Sequence, residues 1–343
     1  MQENNMNYPK FKVCVRCFTF NQSKYITDAL NGFTMQQTDF PFVCCIVDDA
    51  STDGEQEVIR KYVEENFDFS EGSVFFHKET DYAHITYAQH KTNKNCYFAV
   101  LFLKENHYSQ RKDKMPYLSE WRDNTEYEAL CEGDDYWIHP KKLQMQVDFL
   151  DENNEYSMCF HRAEVKVEEG VNTKKDGRVN LYKNLEEREY TAAEILRQWT
   201  IPTASVVHRK GIKGIQDKRF IFGDTPFFLS CAEAGKIYCV DKHPMSVYRL
   251  LPNSAVSIKR NWKEYVDHFK GIEENYADIH LKKVARKYIL NYYVGGFISG
   301  RLGKQSFDVL IDIIRNDPKY VFSFLVSLPM RAIGLVTFNL IKK

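Results

Sequence analysis

The chain predicts an α/β fold with a mixed, mainly parallel central sheet and a C-terminal helical extension. Three observations carry that prediction. Phe11 to Phe20 and Phe42 to Val47 are short apolar runs with little alternation, which suits strands buried on both faces of a parallel sheet. Helical spacing follows each run, in the order strand, helix, strand, helix, which argues for right-handed α/β units. From Trp262 onward the pattern is helical throughout.

The elements follow in order. Phe11 to Phe20 is the first strand. Ser23 is placed to cap a helix carrying Ile26, Ala29, Leu30 and Phe33 on one face, with Lys24 and Asp28 spaced as an ion pair. After the strand Phe42 to Val47, Asp53 starts a helix that turns Val58, Ile59, Tyr62 and Val63 inward. Lys104 to Asn124 is polar and reads as an insertion, partly helical, with Met115-Pro116-Tyr117 its one compact apolar point. Pro140 suits a helix start, and Leu143, Val147 and Leu150 continue that helix. Tyr156 to Val167 reads as a strand, Gly170 to Arg178 as a loop, and Thr191 to Trp199 as a short helix. Ile221 to Gly235 combines the turn Gly223-Asp224-Thr225-Pro226 with a helix ended by Gly235, and Lys236 to Val240 is a strand. No repeat or low-complexity tract interrupts this order.

With 343 residues, 43% of them hydrophobic, the chain has room for one large α/β domain plus an appendage, or for two domains. Lys+Arg and Asp+Glu balance at 47 each, so no global field draws the protein to nucleic acid. Nine cysteines scattered through apolar runs read as reduced core residues of a cytoplasmic protein. Cys14 and Cys17 form a lone C-x-x-C on a strand, where residues three apart face opposite sides, so neither zinc nor redox use is expected. Met1 to Lys10 is polar and does not resemble a secretory signal. Tyr320 to Ile341 is apolar but interrupted by Pro329 and Arg331, which argues against a transmembrane span. It reads either as a membrane-surface helix, at the cytoplasmic face of the inner membrane, or as a core helix docked on the domain.

Two acidic turns carry the chemistry. In Tyr127-Glu128-Ala129-Leu130-Cys131-Glu132-Gly133-Asp134-Asp135-Tyr136-Trp137, an apolar run delivers three carboxylates within four positions. Such carboxylates repel one another, and a protein keeps them together for a cation, for a proton transfer, or merely as a solvated turn. Val47-Asp48-Asp49-Ala50-Ser51-Thr52-Asp53-Gly54 also follows an apolar run. In parallel sheets, ligands sit at the carboxyl ends of strands, where both turns fall. A calcium loop starting at Asp49 is excluded, because its twelfth position, which needs a bidentate Glu, is Arg60. No glycine-rich phosphate loop is present. Asp224 reads as a helix N-cap or as a general base. His161 and His243 are lone histidines of structural or ligating kind, and Tyr248-Arg249 is a strand edge or a phosphate contact.

Taken together, these residues resemble glycosyltransferase family 2, the inverting sugar transferases of GT-A fold, over roughly Lys12 to Ser257. Thr19-Phe20-Asn21-Gln22 stands where the family has Thr-Tyr-Asn, and Val47 to Gly54 matches its Val-Asp-Asp-x-Ser-Thr-Asp-Gly turn. Glu132-Gly133-Asp134-Asp135 stands where the family has Asp-x-Asp-Asp, its metal and diphosphate motif. Gly223-Asp224 is similar to the turn with the catalytic base, and Tyr248-Arg249 with Ser254 and Ser257 to the segment closing over the diphosphate. Glu-Gly-Asp-Asp-Tyr-Trp followed by Pro-Lys-Lys-Leu-Gln resembles bacterial transferases that build surface polysaccharides.

The resemblance implies a GT-A-type, Rossmann-like sandwich over residues 1–258, with a nucleotide half to about 135 and an acceptor half after it. A helical extension over 259–318 and an apolar tail over 319–343 would follow. It implies a nucleotide diphosphate sugar donor, most simply a UDP-sugar, bound by Thr19, Asn21, Asp49, Asp53, Glu132, Asp135, Trp137, Tyr248 and Arg249. Asp134 and Asp135 would hold Mn2+ or Mg2+, and Asp224 would deprotonate a glycan or lipid-linked acceptor. Phe18 in place of the family's Pro, Glu132 in place of Asp, and the insertion over Lys104 to Asn124 depart from the pattern. The Gln-x-x-Arg-Trp motif of processive relatives is absent, which implies one sugar per encounter. Two other readings are a nucleotidyltransferase, which usually needs a Gly- and Lys/Arg-rich triphosphate loop not found here, and a catalytically inactive glycan-binding relative, which should lack the base or the metal acid.

Overall fold

The computed structural model describes residues 8–171, 178–241, 243–252 and 260–328. The chain divides into two compact units: Met1–Thr191, Thr200–Ile212 and Ala234–Ser254 form the first, and Ala192–Trp199, Lys213–Glu233 and Ala255–Lys343 the second. The segments 192–199 and 213–233 therefore belong with the C-terminal helices, not with the sheet-bearing part in which the sequence places them.

The first unit opens with β1 (Val13–Thr19), α1 (Ile26–Thr34), β2 (Phe42–Asp48) and α2 (Glu55–Asn66). Strands β3 (Phe75–Glu79), β4 (Ala83–Gln89) and β5 (Cys96–Leu103) follow, then a short helix, α3 (Ser119–Arg122), and β6 (Tyr127–Leu130). Beyond lie β7 (Tyr136–Trp137), α4 (Lys142–Glu152), β8 (Tyr156–Phe160), β9 (Ala163–Val167), α5 (Arg178–Leu181), β10 (Val207–Arg209), β11 (Lys236–Cys239) and β12 (Ser246–Leu250). Nine strands form one sheet in the order β11-β8-β10-β6-β1-β2-β5-β4-β3, and β7-β12-β9 form a second. At the centre β6, β1, β2 and β5 are parallel. This is the α/β class that the apolar runs predict.

Alternate residues of β1 serve two layers. Val13, Val15 and Cys17 join α1, α4 and the large aromatic residues Phe33 and Trp137 in one core. Cys14 faces the other core with Val43, Cys45, Leu118 and Trp121. Cys14 and Cys17 thus lie on opposite faces, and all nine cysteines are buried and free of disulfides. Leu118 and Trp121 show what the insertion does locally: its short helical turns cover one face of the sheet, and Tyr117 stacks on Tyr82 with ring centroids 4.0 Å apart.

Several local expectations are corrected. Ser23 does not cap α1, which begins at Ile26 without a side-chain cap; its N–H donates to Asp53 instead. Asp28 pairs with Arg249 and not Lys24, whose ammonium lies over the Tyr25 ring. Tyr156 to Val167 is two strands in different sheets, parted after Phe160. No element was assigned in the sequence between Val63 and Lys104, where β3, β4 and β5 lie.

The second unit is helical: α6 (Ala192–Gln198), α7 (Asp224–Ala234), α8 (Trp262–Asn275), α9 (Ile279–Ser299) and α10 (Lys304–Asn316). Asn261 and Glu264 form a reciprocal capping box on α8, and Asp278 caps α9. The apolar tail begins as a docked segment, with Tyr320 and Phe324 buried and Phe322, Leu325 and Val326 exposed. Residues 329–343, with Pro329 and Arg331, lie outside the described residues. Among the described residues no helix is long and apolar enough to cross a membrane.

Candidate functional site

The site is built around the carboxyl end of β1. Thr19 is in register with Asp48 of β2, and the Asp49 N–H donates to the Thr19 carbonyl at 3.0 Å. On the other flank the chain beyond β6 stays beside β1, with the Gly133 N–H donating to Phe18 O at 3.3 Å. The chain runs from β1 to β2 on one side and β6 lies on the other, so a switch in strand order places both acidic turns at one edge. Gly133 is obligatory at this contact, because a Cβ there would stand 2.3 Å from Thr19 Oγ1 and 2.6 Å from Gln22 Oε1.

The first turn is a network of short polar side chains. Buried Glu55, at the start of α2, accepts from Thr19 Oγ1, from the Gln22 N–H at 2.8 Å and from Ser51 Oγ at 2.8 Å. Asn21, at a positive φ of 53°, accepts from the Thr52 N–H at 2.8 Å. Asp53 accepts from Glu55 N–H and Ser23 N–H, holding the turn against the start of α1. Asp48 accepts from Gln56 and Ser51 through Oδ1, while its Oδ2 is buried with no partner. Burial raises the pKa of both Asp48 and Glu55.

Asp49 is 1% exposed, and both its oxygens are engaged. Oδ1 accepts from the His107 N–H at 2.7 Å; Oδ2 accepts from the Tyr108 N–H at 3.0 Å and from Lys114 Nζ at 2.8 Å. The insertion is therefore seated on the carboxylate that the resemblance assigns to the nucleotide base. Lys114 also lies over the Phe18 ring, 4.9 Å from its centroid.

In the second turn Asp135 is buried and accepts the Arg249 N–H at 2.8 Å through Oδ1. Asp134 is half-buried, and its carbonyl accepts from Arg249 Nη1 at 2.7 Å. Burial pushes both carboxyls up, and the Asp134 charge adds to the effect on Asp135. The Arg249 guanidinium also meets Asp28 and, at 3.3 Å, Glu168, and it lies over the Tyr136 and Tyr25 rings. It is thus buried behind the turn, holding it in place. Glu132 is exposed. Trp137, which the sequence puts among the substrate contacts, is instead a core residue, 1% exposed, with its indole N–H donating to Ala204 O at 2.8 Å. Tyr248 is partly exposed on β12 and receives a hydrogen bond from Arg178 at 3.1 Å. Ser254 and Ser257 lie outside the described residues. His161 is buried, with Nδ1 on Arg162 O, and exposed His243 pairs with Asp241.

Asp224 belongs to the second unit. It is exposed at the first position of α7 and accepts the N–H of its neighbour Thr225 at 2.7 Å. Nearby in that unit Trp199 meets Phe222 edge-on at 4.5 Å, and the Arg260 guanidinium lies over Phe222.

Residues 15–88 match the model of the family described as Glycosyl transferase family 2. Over that segment the chain is similar to glycosyltransferase family 2. The chain is 32% identical over 195 residues to proteins of Mycobacterium tuberculosis (Rv1520) and Mycobacterium bovis (Mb1547), both described as uncharacterized. That alignment covers 56% of this chain and 45% of each relative, so the chain spans about half the length of the curated relatives it matches. Among solved structures, S. aureus TarS is 17% identical with a TM-score of 0.53, covering 91% of this chain and 49% of that one. A mannosyltransferase from Pyrobaculum calidifontis, solved with GDP-Man and Mn2+, is 13% identical with a TM-score of 0.50, covering 96% and 91%. These likenesses bear out the GT-A fold.

The family pattern points to the turns but not to everything that builds them. Glu55 lies just past the Asp-Gly of the first motif, and a carboxylate at a helix start is a legible signal for turn-binding that the reading passes over. Asp28, Glu168 and Lys114 come from remote segments, and nothing in their local sequence marks them as partners of the motif residues.

Proposed function

We propose that this protein transfers a sugar from a nucleotide diphosphate sugar to a hydroxyl acceptor, inverting the anomeric carbon, in bacterial polysaccharide assembly. The observation that carries the proposal is the pairing of two acidic turns on either side of β1, with Gly133 packed onto Thr19. Thr19, Asn21, Asp49 and Asp53 shape the nucleoside side in this reading, and Glu132, Asp134 and Asp135 the diphosphate side.

A divalent cation suits the second turn. Mg2+ or Mn2+ takes hard oxygen donors and commonly uses one or two carboxylates, with substrate phosphates and water completing the shell. Among the described residues no group of three His, Cys, Asp or Glu side chains is arranged to hold a metal by itself. Asp134 is the accessible ligand, and Asp135 has Oδ2 left after its bond to Arg249. The cation would neutralise charge on the nucleotide leaving group. The mannosyltransferase of similar fold was solved in complex with GDP-Man and Mn2+, which supports a donor site that uses a cation.

The chain's own residues do the rest. Arg249 keeps Asp134 and Asp135 fixed so that two like charges stay close before the donor arrives. Asp224, at the first position of α7, takes the proton of the acceptor hydroxyl as it attacks the anomeric carbon, and desolvation raises its carboxyl pKa in the direction that suits a base. Tyr248 lines the diphosphate side, and the tail beyond Tyr320 brings the enzyme to a membrane-borne, lipid-linked acceptor.

Incubating the protein with UDP-sugars and GDP-sugars plus Mn2+, and following nucleotide diphosphate release, tests the reading. Release of UDP or GDP supports it. Release of pyrophosphate from a nucleoside triphosphate and sugar phosphate would point to a nucleotidyltransferase, and no release with any donor to an inactive binding relative.

A further inference from the structure

The second unit contains a cleft of about 530 Å³ between α6 and α9 that the proposed transfer does not use. Arg197 of α6 and His280, Lys283 and Lys287 of α9 line it, with Tyr288. His280, Lys283 and Lys287 recur along one face of α9, and all four cationic or titratable side chains are exposed. Among the described residues no acidic side chain lines the cleft and none makes an ion pair with Arg197, Lys283 or Lys287.

This arrangement costs stability unless something compensates. Lys283 and Lys287 are like charges one turn apart on a helix, which is unfavourable by a few tenths of a kcal/mol. Neighbouring Arg286, one residue away, does have acidic company in Glu273, so the lack of a counter-charge is specific to the cleft-lining face. The walls are fixed relative to each other: the Tyr288 hydroxyl donates to the Arg197 carbonyl at 2.7 Å and ties α9 to α6. An Arg fork and two Lys point charges held on a tied frame are the donors that phosphate oxygens need.

We infer that this cleft binds a phosphate-bearing ligand. Its volume accommodates a phosphate or diphosphate with the first part of its attached group. The ligand is either a soluble phosphate ester or the headgroup of an anionic phospholipid. Both present the same oxygens to Arg197, Lys283 and Lys287. The site goes beyond sugar transfer and is read by binding alone, so it stands or falls separately from the donor chemistry.

The test uses the full chain in EDTA, which withholds the cation that the proposed donor site needs, and two variants, Lys283→Gln/Lys287→Gln and Arg197→Gln. Two probes are titrated at low salt: inorganic pyrophosphate, and vesicles of phosphatidylglycerol against vesicles of phosphatidylcholine. At least a tenfold loss of pyrophosphate or phosphatidylglycerol binding in both variants, with binding to the wild type weakening as salt rises, is the expected result. Pyrophosphate binding without vesicles assigns the cleft to a soluble ester; binding only to phosphatidylglycerol vesicles assigns it to a lipid headgroup. Wild-type binding of neither probe, or equal binding by wild type and variants, would overturn the inference. Unchanged α-helical circular dichroism of the variants keeps a loss of binding from being a loss of fold.

Discussion

Lys114 Nζ lies 2.8 Å from Asp49 Oδ2, so a side chain of the insertion neutralises the carboxylate that directly follows β2. Both groups are largely buried, with 13% and 1% of the side chains exposed. Two backbone N–H groups of the same insertion complete the carboxylate's partners. The insertion and the first acidic turn therefore form one structural piece.

Lys114→Met should lower the unfolding free energy by roughly 1.5–3 kcal/mol, the worth of a hydrogen bond to a charged group. The amides of His107 and Tyr108 should exchange faster with solvent, because the carboxylate they donate to has lost its third partner. Urea unfolding and hydrogen exchange measure the two effects. Unchanged stability and unchanged exchange at both amides would contradict the account.

Arg249→Met removes the cation shared by Asp28, Glu168 and the carbonyl of Asp134. Breaking a buried ionic cluster by deleting one partner costs roughly 3–5 kcal/mol. Arg249→Lys should recover only part of that, since an ammonium cannot serve partners on several sides as a planar guanidinium does. Denaturant midpoints of the two variants rank them; a lysine variant as stable as the wild type would sink this role.

Lys142 predicts a pH effect with a definite sign. Its Nζ is fully buried without a partner, 4.0 Å from the centre of the Trp137 ring, and burial lowers its pKa from 10.5 to about 7. Between pH 7 and 10.5 the unfolded chain holds a proton here that the folded chain has released, so stability rises with pH across that window. Below pH 7 the folded protein carries the whole penalty, up to about 5 kcal/mol at 1.36 kcal/mol per unit. Lys142→Met should therefore stabilise the protein more at pH 6 than at pH 10. Equal gains at both pH values would remove the buried ammonium from the argument.

Asp224→Asn should reduce transfer by about 10²–10⁴-fold while donor binding persists, because a general base contributes to the reaction step and not to ground-state affinity. Single-turnover rates and equilibrium titration of the donor separate the two. Unchanged turnover would take Asp224 out of the reaction.

Much of the first unit was legible because parallel strands leave strong traces. The apolar runs of β1 and β2, and the acidic residues that follow β2 and β6, report burial and ligand edge in a few consecutive residues. The short exposed strand β3, with His77, Lys78 and Glu79 in succession, carries too little apolar signal to stand out. The run Cys96 to Leu103, buried at every position, was readable and went unassigned. Trp137 was misplaced because adjacency to Asp134 and Asp135 in sequence suggests a shared surface. On β7 it instead points into the core beside Phe33 and Lys142. Arg249 looked like a phosphate contact for a related reason: an Arg suits either partner, and only the fold brings Asp28 and Glu168 to it. The second unit's boundaries were not readable, since 192–199 and 213–233 join the C-terminal helices through contacts distant in sequence.

The most direct measurement is calorimetric titration of the responsive nucleotide sugar with and without Mn2+, on the wild type and on Asp134→Ala. The account predicts tight binding by the wild type only when Mn2+ is present. It predicts at least about a 100-fold loss in Asp134→Ala, since a metal contact is worth several kcal/mol and each 1.4 kcal/mol is tenfold. Equal, metal-dependent affinity in the variant would contradict it.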